Sequence, residues 1–152
     1  MSDLQDSIDG LASIANANKA KTGISIAYPS LPASLTTLPA ICYFVGQQTY
    51  QPFRDSEDVK VESTLIVVRL SEAAITTGIP GEVEERVKSR IPLIRDELLS
   101  HPSIGGTAGI LRAVLTGSSG VKSVTFAGEN FAGCEWKLTV ERIIQVTYAK
   151  GE

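Results

Sequence analysis

The chain is poor in the residues that carry most enzyme chemistry. Among 152 residues it has one histidine, two cysteines, one methionine and one tryptophan. His101, Cys42 and Cys134 lie on three distant segments, without the close spacing of a zinc set. Lys and Arg number 14 against 17 Asp and Glu, so no basic footprint for gripping phosphate is present. The longest Lys/Arg-rich piece, residues 86–95, is flanked by acids at Glu82, Glu84, Glu85, Asp96 and Glu97. No apolar run approaches the roughly 20 residues of a membrane helix, and the opening MSDLQDS is acidic where a secretory signal starts basic. The chain is therefore expected to be made and kept in a cytoplasm unless it leaves within a larger particle. Each cysteine sits in an apolar strand pattern, which reads as buried free thiols, with a single disulfide as the alternative.

The glycine runs lack the context that phosphate or nucleophile motifs need. GGTAG at 105–109 follows a helix and precedes a strand, the reverse of a dinucleotide fingerprint. GSSG at 117–120 has neither a P-loop lysine nor G-x-S-x-G spacing. Asp55, Glu57 and Asp58 cluster without calcium-loop spacing. His101 falls at the end of a predicted helix, where a cation complements the dipole. No catalytic residue, cofactor or metal site is predicted, and the chain does not read as an enzyme.

What is present is periodicity. From Cys134 the even positions run Cys134, Trp136, Leu138, Val140, Ile144, Val146 and Tyr148, with Glu135, Lys137, Thr139 and Glu141 between. That alternation predicts a long strand with one buried and one wet face. Arg142 and Ile143 break it together, which predicts a β-bulge or a covered patch. Upstream, Val124 and Phe126 begin a partner strand, and Gly128, Glu129 and Asn130 supply the turn of a long hairpin over 121–148. Leu4, Ile8, Leu11 and Ala15 mark an amphipathic helix within 1–18, opened by a Ser2/Gln5 capping box and weakened by Gly10. A proline-rich connector fills 19–39, with a short strand at 24–28. AICYFV at 40–45 reads as a central strand covered on both faces. A polar loop over 46–58 carries Tyr50, Phe53 and Arg54, and 59–70 is a strand whose second half lies deep in the sheet. The main helix spans 80–101, its stripe being Val83, Val87, Ile91, Ile94 and Leu98. Pro92 predicts a kink or break near 89–91. A short strand follows at 110–115. The expected fold is a single α+β domain, a mostly antiparallel sheet of four to five strands with helices packed on it.

The aromatic loop has two readings: Tyr50 and Phe53 pack locally, or Tyr50, Phe53 and Arg54 meet a partner, since aromatics and Arg concentrate in interface cores. Arg142 and Ile143 form a second candidate contact patch. Cys134, Trp136 and Tyr43 either line an apolar ligand cavity or are plain core, the latter being where such residues usually sit.

Several features in series resemble one family. They are the apolar strand after the proline-rich approach, a strand ending VVRL, a charged helix ending LLSHP, a glycine pair, and FAGENFAG leading into a long alternating strand. Over residues 38–148, and most strongly 126–140, this order is similar to the tail terminator proteins of long-tailed bacteriophages. The resemblance implies a structural virion protein of the tail or neck, assembled in the host cytoplasm. It implies a homo-hexameric ring that caps the tail tube protein, presents a surface to the head-tail connector, and lets genomic DNA pass without sequence-specific binding or a membrane. The wet strand face and modest acidic balance suit a bore that must not hold phosphate. A head-to-tail adaptor or stopper is the neighbouring reading. A small ligand-binding α+β domain is the alternative from another class.

Overall fold

A computed structural model describes residues 3–53 and 58–145. The elements are α1 (Asp3–Ala17), α2 (Lys19–Thr22), β1 (Ile26–Ala27), β2 (Ala40–Pro52), β3 (Val59–Ile75), α3 (Gly81–Leu99), β4 (Ile110–Ser118), β5 (Lys122–Phe126) and β6 (Glu129–Gln145). The fold is mixed α+β, with one six-stranded sheet in the order β1-β2-β3-β6-β4, and β5 also on β6. Only β1 pairs parallel; the rest of the ladder is antiparallel.

The alternation in β6 holds from Cys134 onward, after a continuously buried run at residues 131–134. Cys134, Trp136, Leu138 and Val140 are all at or below 1% exposure and pack with Ile66, Val68 and Leu70 of β3. The helices cover this face: Ile8, Leu11, Ala12 and Ala15 from α1, and Val83, Val87, Ile94 and Leu98 from α3. The connector after β1 covers one end of the opposite face, where Leu35 packs with Ala40, Cys42, Val124 and Phe131. Residues 40–43 are thus buried on both sides, as the composition implies, whereas Phe44 is half-buried and Val45 is exposed, so the expected cover does not reach the end of the run. Cys42 and Cys134 are free and belong to clusters on opposite faces of the sheet, which excludes a bridge between them.

Several sequence expectations are corrected. The hairpin over 121–148 is short: β5 pairs only with Glu129 to Gly133 of β6, and β4 takes over that edge from Trp136 to Arg142. Its turn is Ala127–Gly128, both at positive φ (51° and 81°), while Glu129 and Asn130 already belong to β6. Two positive φ values match the right-handed strand twist. Residues 46–52 of the polar segment are strand, because a register shift between Val45 and Gln48 absorbs an irregularity and β2 then continues to Pro52. The helix α3 runs unbroken through Pro92; proline removes one backbone bond there without ending the helix. Ser2, Arg54, Val146 and Tyr148 lie outside the described residues.

Candidate functional site

Arg142 is in register with Glu62 of β3, and no shift interrupts the β3–β6 ladder near it. No bulge forms in β6; the irregularity is on β4, between Ile110 and Arg112. Arg142 stays on the helix-covered face at 4% exposure, its Nη1 3.2 Å from Glu62 Oε1. It is an internal ion pair and not a presented contact. Ile143 points the other way and is exposed. The two pattern breakers therefore do not form one patch.

A second buried pair escaped the sequence reading. The register shift between Ser71 and Ala73 brings Glu72 toward α3. There both its carboxylate oxygens accept from Arg90, at 2.5 and 3.0 Å. Arg90 also donates to the Thr22 carbonyl at 2.9 Å, so one guanidinium ties α3, β3 and α2 together. In sequence, Glu72 is a single acid in an apolar strand.

Cys134, Trp136 and Tyr43 are core, at 0, 1 and 6% exposure, and burial together with the nearby Glu97 charge raises the Tyr43 phenol. A cleft of about 460 Å³ lies elsewhere, between Asn18, Lys21, Leu93, Asp96, Glu97, Ser100 and His101. Burial pushes the Glu97 carboxyl up to about 7. The Ser100 hydroxyl in the cleft donates to the Asp96 carbonyl at 2.6 Å, and among the described residues no cluster of three or more His, Cys, Asp or Glu could hold a metal. Among the described residues, no helix is long and apolar enough to cross a membrane.

The wet face of the sheet is open beyond the connector. Two adjoining troughs share Thr116 and Lys137 and are floored by Leu65 and Val67. The chain's acidic balance is not expressed here. Glu135 is held between Arg69 and Lys122, each at 2.8 Å; burial raises its pKa, but these hydrogen bonds outweigh that and hold it below the usual range. Arg69 also stacks 4.3 Å over the Phe44 ring. Glu141 holds Arg112, and Lys137 is exposed.

Of the loop candidates, Tyr50 lies in strand β2 at 54% exposure. Phe53 closes the arm, its N–H donating to the Val59 carbonyl at 2.9 Å. All thirteen residues of β2 are uncharged. Beyond β1, which pairs only with Ala40 and Ile41, the outer side of β2 has no neighbouring strand among the described residues. No protein-family model matches the chain, and no curated protein is significantly similar to it.

Proposed function

We propose that this chain is a structural subunit that acts by assembly, a tail terminator whose hexameric ring caps a phage tail tube and joins it to the head connector. One observation carries the reading: the long outer edge of β2 is uncharged, lacks a strand neighbour beyond β1 among the described residues, and displays Val45 and Tyr50 to solvent. Exposed edges of this kind are templates for pairing with another chain, and monomeric proteins blunt them with charge. The order of sequence features from the apolar strand to the FAGENFAG turn supports the same reading. The ligand-binding alternative loses its cavity, because the side chains proposed to line it fill the core. Tyr50, Phe53 and Ile143 are the contact residues that remain at or near the surface; Arg54 is assigned by sequence alone.

The test is negative-stain electron microscopy of the purified protein with polymerising tail tubes of the same phage. Density at one tube end with growth arrested there is the expected outcome. Tubes that stay bare and keep growing, while the protein binds head connectors, would replace this reading with the adaptor. Binding to neither would return the ligand-binding class to first place.

A further inference from the structure

We infer that neighbouring copies join edge to edge, the outer edge of β2 in one copy pairing antiparallel with the outer edge of β4 in the next. The inference rests on the ring-forming reading above and specifies the contact that closes the ring.

Beyond β1, both edges lack a strand partner among the described residues. Outside the β1 contact, the main chain of residues 43–52 makes no hydrogen bond to any described segment on its outer side. Because the Phe53 N–H turns inward to Val59, antiparallel alternation turns the main-chain groups of Pro52, Tyr50 and Gln48 outward. A proline in that series costs the inner ladder nothing. On β4, the loop before it covers only the start, through the Ala113 N–H donating to the Pro102 carbonyl at 2.7 Å. The rest of that edge has no neighbouring strand. Neither edge carries a free charge: β2 has none, and the one charge of β4, Arg112, is held by Glu141. Val45, Tyr50 and Leu111, on these two strands, are 47, 54 and 42% exposed.

The two edges also match in direction and level. The ladder β2-β3-β6-β4 is antiparallel at every step, so β2 and β4 run in opposite directions. A β4-to-β2 contact between copies is then itself antiparallel, and continues the sheet. Val45, Ile66, Leu138 and Leu115 stand in one cross-strand row, so the edges meet at the same level without sliding along the strands. Two different patches of one subunit make a heterologous contact, and such contacts propagate around a ring. Six copies joined through these four strands would enclose a cylinder at least about 35 Å between facing backbones at a strand spacing of about 4.8 Å. That leaves a bore for a DNA duplex. The second arrangement open to a bare edge, β2 against β2 about a twofold axis, would stop at a dimer.

Analytical ultracentrifugation of the full chain separates these arrangements. One variant carries Val45→Lys with Tyr50→Lys on the β2 edge. The other carries Leu111→Lys with Thr116→Lys on the β4 edge. All four positions are exposed, and lysine is the residue natural sheets place on edges. Wild type is expected as a closed ring, and each variant alone as a monomer with at least tenfold weaker association. An equimolar mixture is expected to give a heterodimer and nothing larger, since each variant keeps one good edge. Rings from either variant alone, a dimer of the β4 variant alone, a monomeric wild type, or no heterodimer on mixing would overturn the inference. If a variant fails to fold, amide exchange on wild type decides: assembly should protect Gln48 and Tyr50, and unchanged exchange there would refute the contact. Tube capping is scored separately. Capping by wild type while both variants still form rings keeps the terminator reading and loses this interface; edge-dependent rings that never bind a tube do the reverse.

Discussion

Arg142 and Glu62 meet on the covered face of the sheet with side chains 4 and 12% exposed. A buried pair gains little over well-packed apolar residues, but removing one partner strands the other charge out of water. Arg142→Met should therefore cost about 3–5 kcal/mol, and the double variant Glu62→Leu/Arg142→Met should recover most of it. Urea denaturation of the four species gives the coupling; a double variant no more stable than Arg142→Met would contradict this account. Glu97 works in the opposite sense. Burial raises its carboxyl from 4.5 to about 7, so across that window the native state keeps a proton that the unfolded chain has released. Stability attributable to Glu97 is full below the lower value and declines as pH rises through the upper one. Asp96, Lys21 and His101 share its cleft, and Tyr43 lies close enough to feel its charge. Glu97→Gln should flatten the fall in urea midpoint between pH 5 and 8; an unchanged slope would assign that fall to its neighbours. Neither effect was legible in sequence. Arg142 was visible as an anomaly in β6, but its partner lies 80 positions away, and Glu97 looks like an ordinary charged position on a helix.

Among the elements, β3 and β6 form the spine, each 17 residues long and paired over nearly their whole length. At Gly133 of β6 an added Cβ would collide with the Leu70 carbonyl of β3. Main chain cannot give way as a flexible side chain can, so Gly133→Ala should destabilise by about 3 kcal/mol or more. Thermal melting checks this, and a loss below ~1 kcal/mol would mean that the ladder parts there at little cost. Gly10 has a similar cause: its missing side chain lets α1 approach Ile104 and Thr107, which offsets the helix propensity it gives up. The periodic elements were readable because period 2 and period 3.6 follow from the geometry of single elements. The end of β2 was not. Gly46 and the polar residues after it resemble a loop, and pairing to residues 60–64 of β3 keeps them extended.

At the scale of the molecule, a net charge of −3 sets no strong field, so the proposed assembly rests on shape and main-chain pairing. Anything that binds the native state alone raises its apparent stability by mass action. The melting temperature of wild type should therefore rise with protein concentration. The β2-edge variant, lacking its contact, should melt at a fixed temperature over the same range. Parallel behaviour of the two in differential scanning calorimetry would argue against edge pairing as the contact that stabilises the assembly.

Composition and periodicity by themselves determined the α+β class, the helix stripes, the buried faces of β3 and β6, and the lack of a recognisable catalytic motif. These depend on residue type and spacing within one element. The tertiary structure decided the rest: that β6 is shared by β4 and β5, that Arg142 answers Glu62, that Arg90 joins three elements, and which strand edges stay bare. Those facts depend on which segments become neighbours. That choice follows from packing every apolar face at once, and no local window of the sequence contains it.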